Sequence, residues 1–141
     1  MITWRVDSAL LRPSFRADVE GFLAGSAYSW YVLSGFRGLD EQAKLYAAFL
    51  KGGPRAAPPG KSAHNYGCAV DIVLDADPLT PGLQPSWDTK LAAWTWLKVA
   101  SIPHPRLRGG WRFGDWPHLE AVDWKDYAAG GGAGGGGGGG F

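Results

Sequence analysis

Ser62-Ala63-His64-Asn65-Tyr66-Gly67-Cys68-Ala69-Val70-Asp71 is the stretch around which the chain is organised. Fully extended, its seven steps from His64 to Asp71 would separate the two α-carbons by roughly 23–25 Å. If both side chains serve one metal ion, their donor atoms must come within a few Å of each other. The chain must then double back between them, and Asn65 and Gly67 are residue types that tolerate the positive φ such a reversal needs. From Ala69 the pattern reads as a strand, with Ala69, Asp71 and Val73 on one face and Val70, Ile72 and Leu74 on the other. The small Ala69 leaves room beside Asp71, and the larger aliphatics can face a core.

A second group, Asp115-Trp116-Pro117-His118-Leu119-Glu120, supplies another histidine and two carboxylates. In a straight strand Asp115 and His118 would point to opposite faces. Pro117 fixes its own φ and drives Trp116 away from helix, and a proline-bearing turn after Trp111-Arg112-Phe113-Gly114 could aim both side chains into one pocket. Glu120 falls on the same face as His118 if the chain is then extended, where it suits an acceptor for a ligating imidazole. A lone histidine or aspartate in a small protein is usually structural, and a single His-Asp pair arises easily by chance. The two segments together do not. They assign His64, Asp71 and His118 to one zinc ion, three protein ligands leaving a fourth position for water. Asp115 then stands beside that water as a candidate base.

With Ser34-Gly35-Phe36-Arg37 upstream, these segments resemble the zinc D-alanyl-D-alanine carboxypeptidase and dipeptidase family. Within it the likeness is closest to the phage L-alanyl-D-glutamate peptidases used as endolysins, and it spans about residues 32–124. The resemblance implies a compact α+β domain, a small antiparallel sheet with helices packed around it, as in hedgehog and D-Ala-D-Ala peptidase folds. It implies one catalytic zinc and a peptidoglycan stem peptide as substrate. Asp115 maps onto the family's general base and Arg37 onto the residue expected to stabilise the oxyanion. Gly109-Gly110-Trp111 matches the glycine and tryptophan that precede the second segment. Gln42 matches a polar supporting position. Ser62 either hydrogen-bonds substrate or caps the turn, and Trp116 or Trp111 could line the cleft.

Two alternatives stay open. One is a D-alanyl-D-alanine carboxypeptidase of cell-wall metabolism. The other is a non-catalytic zinc-containing wall-binding module, since the hedgehog signalling domain is similar in fold and zinc ligation yet is known chiefly as a ligand. Asp115 and Arg37, which binding alone would not need, favour an enzyme.

Composition sets the frame. The 141 residues suit one domain, residues 1–127, followed by a tail at 128–141 that holds ten of the 22 glycines. Such a tract cannot bury enough apolar surface to offset its ordering entropy and is expected to be disordered. A net charge of +1 offers no broad basic surface for nucleic acid, although Arg106, Arg108 and Arg112 form a local cluster. The single cysteine excludes an intrachain disulfide, and Cys68 reads as a small buried residue, not a ligand. No stretch is long and apolar enough for a secretory signal or a membrane span. The expectation is a monomer made in the (host) cytoplasm without a signal peptide, which meets the wall or periplasm only after release by another agent.

Leu11, Phe15, Val19, Phe22 and Leu23 recur at helical spacing, with Pro13 at the start and Gly25 at the end. Trp30 to Leu33 reads as a strand leading into Arg37. Asp40 and Glu41 open a second helix whose face would be Gln42, Leu45, Tyr46, Phe49 and Leu50, stopped by Gly52-Gly53-Pro54. The loop from Lys51 to Lys61 could border the cleft. Asp75 to Ser86 reads as a polar loop without a complete calcium-binding set. Trp87 to Ala100 reads as a third helix with Leu91, Trp94, Leu97 and Lys98 along one side, and His104 as a loop residue between prolines.

Overall fold

The computed structural model describes residues 1–129. Most of the glycine-rich tail, and with it the expected disorder, lies outside the described residues. In chain order the elements are strand β1 (Ile2–Trp4), helix α1 (Pro13–Ala24), β2 (Ser29–Ser34), α2 (Leu39–Leu50), β3 (Ala69–Asp75), β4 (Pro85–Ser86), α3 (Ala92–Ser101), β5 (Leu107–Gly109), β6 (His118–Ala121) and α4 (Trp124–Ala128). Short 3₁₀ turns at Ser8–Leu10, Ala63–Tyr66 and Gly110–Phe113 join them.

The strands form one sheet in the order β1-β2-β3-β6-β5, with β4 pairing the far end of β3. It is mixed, not purely antiparallel as expected, because β1 runs parallel to β2. A parallel pair needs a long crossover, and α1 supplies it. Three residues of β1 were too few to show an alternating pattern in the sequence. All other pairings are antiparallel.

β3 is the central strand, and all its residues except Asp71 are buried. Its two faces are therefore both covered, so Ala69 and Val73 are as enclosed as Val70 and Ile72. On the core side α1 contributes Phe15, Val19 and Leu23, and Pro13 occupies its first turn as the sequence implies. Trp30 and Trp94 meet edge to face with centroids 5.2 Å apart, a contact worth about 0.5–1.5 kcal/mol beyond burial. Each buried indole also finds an acceptor: Trp30 Nε1 donates to Ser26 Oγ, Trp94 Nε1 to Ser86 O and Trp124 Nε1 to Glu120 Oε2.

Two helices depart from the sequence reading. α3 begins at Ala92, not Trp87, because Pro85 and Ser86 pair with β3 and Asp88 then closes a turn. Asp88 accepts there from Lys90 N through its side chain and from Leu91 N through its carbonyl. Leu91 is thus an exposed cap residue outside the helix face. In α2 the expected apolar face does not enter the core. Gln42 is its one buried residue, while Leu45, Phe49 and Leu50 are 38%, 37% and 66% exposed. No helix among the described residues is long and apolar enough to cross a membrane.

Candidate metal centre and cleft

The reversal between His64 and Asp71 is built as a capped 3₁₀ turn. Ser62 Oγ accepts from His64 N at 3.3 Å, and Asn65 Oδ1 reaches back to the backbone N of Ser62 and of Gly60. Gly67 ends the turn at φ 67°, and a β-carbon there would meet the backbone of Leu10 and Arg12 at 3.0 Å. Only glycine satisfies both demands. The Ser62 hydroxyl is fully buried and serves the turn as its cap.

Asp71 faces His118 directly across the β3–β6 pair. The turn that aims Asp115 at the same place is closed by Asp115 N donating to Gly110 O at 2.9 Å and His118 N donating to Asp115 O at 3.1 Å. A β-carbon on Gly110 would lie 2.3 Å from Asp115 O, so the turn folds this tightly only over glycine. Pro117 gives up no donor that the sheet needs: its carbonyl accepts from Ile72 N at 2.9 Å.

Each histidine is oriented by its outer nitrogen. His64 Nδ1 lies 2.8 Å from Gly35 O, which fixes that nitrogen as the N–H donor and turns Nε2 inward. His118 Nε2 lies 2.7 Å from Glu120 Oε1, which turns Nδ1 inward. The two inward nitrogens stand 3.3 Å and 3.4 Å from Asp71 Oδ2 and Oδ1. Ligand bonds of 2.0–2.2 Å give a tetrahedral site an edge of about 3.4 Å. One ligand atom from each of the three side chains lies within 4.8 Å of the others. The donor set and its spacing thus fit a zinc-sized ion, and Cys68 is not part of the group.

The charges of the group are tightly linked. Burial would raise Asp71, but hydrogen bonds with both imidazoles hold its carboxyl well below the ordinary value. Burial would lower His118, yet its bonds to Asp71 and Glu120 prevail and raise it to about 9. Ser34 Oγ also donates to Asp71 Oδ2 at 2.5 Å. Fully buried Glu120, opposed by burial, is kept ionised by His118 and Arg108, and it accepts from Arg108, His118 and Trp124 Nε1. The sequence pointed to Glu120 as the imidazole's acceptor, but not to the Arg108 and Trp124 that complete its shell. Arg108 is the residue opposite Glu120 on β5, a pairing invisible before the sheet order is known.

A cavity of about 250 Å³ opens onto the triad and is lined by Asp115, Arg37 and Gln42 as well. Burial pushes the Asp115 carboxyl up, and Asp71 adds to this, against the histidines and Arg37. Arg37 N donates to His64 O, and its guanidinium reaches Gln42 Oε1 at 3.1 Å and Asp71 Oδ2 at 3.9 Å. Gln42 Nε2 in turn donates to Ala57 O at 2.8 Å, tying α2 to the loop before Ser62. That loop borders the cavity through residues 54–57, as the sequence suggested. Trp116 and Trp111 do not. Trp111 Nε1 donates to Ser101 Oγ, and Lys98 Nζ lies 5.1 Å and 5.9 Å from the two rings. His104 is a loop residue whose Nδ1 accepts from Arg106 N and Leu107 N. Asp75 Oδ1 accepts from Asp77 N and Gln84 N, closing a polar turn.

Three inward donors with room for a water, a carboxylate held above its usual pKa and a fixed guanidinium are the equipment of a hydrolase. Residues 19–102 match the family VanY, D-alanyl-D-alanine carboxypeptidase, and the chain belongs to that family. By that membership it is a peptidase acting on peptidoglycan. The fold is shared with the Serratia marcescens L-Ala D-Glu endopeptidase ChiX, at a TM-score of 0.60 and 20% identity over 86% of each chain.

Proposed function

We propose that the chain is a zinc-dependent L-alanyl-D-glutamate endopeptidase that opens peptidoglycan stem peptides, and that it serves as a phage endolysin. The observation carrying this reading is the convergence of His64, Asp71 and His118 with Asp115 and Arg37 around one cavity. The choice of bond is supported by the motif resemblance and by the bond named for the Serratia protein of like fold. His64, Asp71 and His118 would hold the zinc, which when bound acidifies water toward a pKa of about 7 and polarises a carbonyl. Asp115 accepts the attacking water's proton and returns it to the leaving amine. Arg37, steadied by Gln42, donates to the oxyanion that develops on the carbonyl oxygen. Release from the cell is supplied by another protein, and the enzyme works as a monomer.

The family description favours a second reading, a carboxypeptidase removing terminal D-alanine. Digestion of purified peptidoglycan separates the two. New amino termini at D-glutamate or D-isoglutamine, abolished by chelation and restored by zinc, are the expected result. Free D-alanine without such termini would replace the endopeptidase by the carboxypeptidase.

A further inference from the structure

A second, exposed arginine lines the cavity, and the reaction above does not use it. Arg55 lines it together with Leu45, Ala48 and Pro54, at the end formed by the C-terminal half of α2 and the loop that follows. Its place is set by the chain. Gly52 N donates to Phe49 O and Gly53 N to Ala48 O, both at 2.9 Å, a closure that terminates α2 at a fixed angle. Pro54 then restricts the backbone immediately before Arg55. Two residues after it, Ala57 O is held by the buried Gln42. The loop is therefore anchored on both sides of Arg55.

Arg37 already faces Asp71 and Gln42, beside the position of the reacting carbonyl. The other end of the cavity combines a cation with small apolar walls. That end suits a short, alanine-containing peptide carrying a carboxylate. We propose that Arg55 is a specificity-determining residue that pairs with a substrate carboxylate lying outside the scissile bond, while Leu45, Ala48 and Pro54 contact the neighbouring small side chains. The inference rests on the peptidoglycan-peptidase reading and deepens it. Two carboxylates of a stem peptide have the required chemistry: the α-carboxylate of D-glutamate and the carboxylate of the peptide's own C-terminus. A guanidinium matches either one bidentately.

Equilibrium binding tests this apart from catalysis. Zinc-loaded Asp115→Asn protein is titrated with L-Ala-γ-D-Glu-L-Lys in four forms, each carboxyl either free or amidated, and binding is followed by isothermal titration calorimetry. Amidation of one of the two carboxyls is expected to weaken binding about tenfold, the lower range for a hydrogen bond to a charged group. Adding Arg55→Gln should abolish that acid-over-amide preference while the circular dichroism spectrum stays that of the folded protein. Adding Arg55→Lys should restore part of it. Whichever carboxyl shows the effect is the partner. An acid-to-amide ratio unaltered by Arg55→Gln, or no acid preference in the Asp115→Asn background, overturns the assignment. Peptidoglycan digestion by the wild type is scored separately, so a wrong scissile bond and a wrong role for Arg55 give different results.

Discussion

Helices α1 and α2 are each twelve residues long and carry apolar side chains at helical spacing, yet they are used in opposite ways. α1 sinks Phe15, Val19 and Leu23 into the core beneath the sheet. α2 sinks only a glutamine, which it spends on orienting Arg37 and the loop at Ala57. Its apolar residues stay at the surface, and Leu45 and Ala48 form a wall of the cleft. Spacing alone identifies an amphipathic helix. It does not say whether the apolar side meets a core or a substrate.

The contrast breaks most visibly in stability. Phe15→Ala removes a side chain that is 2% exposed and should destabilise the fold by about 3–5 kcal/mol, read from urea unfolding. On the cleft side the large effects should fall on activity. Arg37→Ala and Asp115→Ala should each lower kcat/KM by about 10²–10³ while the circular dichroism spectrum and zinc content remain as in the wild type. His64→Ala should instead lose the ion itself. Wild-type rates from Asp115→Ala would remove it as the base.

Cys68 probes the core side by pH. It is fully buried, and desolvation raises its thiol from the ordinary 9.0 to about 11, against the pull of Arg12. A raised folded value means that the neutral thiol's contribution to stability is complete below pH 9 and is lost as pH rises through about 11. At pH 8 the native thiol should therefore alkylate at least about 100-fold more slowly than in denaturant, because the thiolate is the nucleophile. Equal rates would mean that the α1 side is not closed to solvent. The smallest effect belongs to α2: Leu50→Ala, at a site 66% exposed, should shift stability by no more than about 0.5 kcal/mol. A loss of several kcal/mol would show that α2 packs as α1 does.

The same distinction explains what could be read from the sequence. The triad was legible because its signals are local: a turn glycine between His64 and Asp71, and a proline between Asp115 and His118. Glu120 was legible by its two-residue offset from His118. What stayed hidden depends on partners remote in the chain. β1 joins the sheet in parallel only because α1 carries the chain across, and Pro85–Ser86 becomes a strand only because β3 has a vacant edge there. Arg108 and Trp124 reach Glu120 through strand order and a helix start that no short motif records. The idle tryptophans of the cleft reading, Trp111 and Trp116, are instead committed to Ser101 and Lys98.

The pairing of Asp71 with His118 ties chemistry to the assembly of the sheet. Side chains alternate between faces along a strand, so sliding β6 by one residue against β3 would send the imidazole to the wrong side. Two of the three converging side chains would then be separated without any change in composition. Under the proposed zinc reading, ion uptake would gauge strand alignment, and a chain zipped up one notch off would stay inactive.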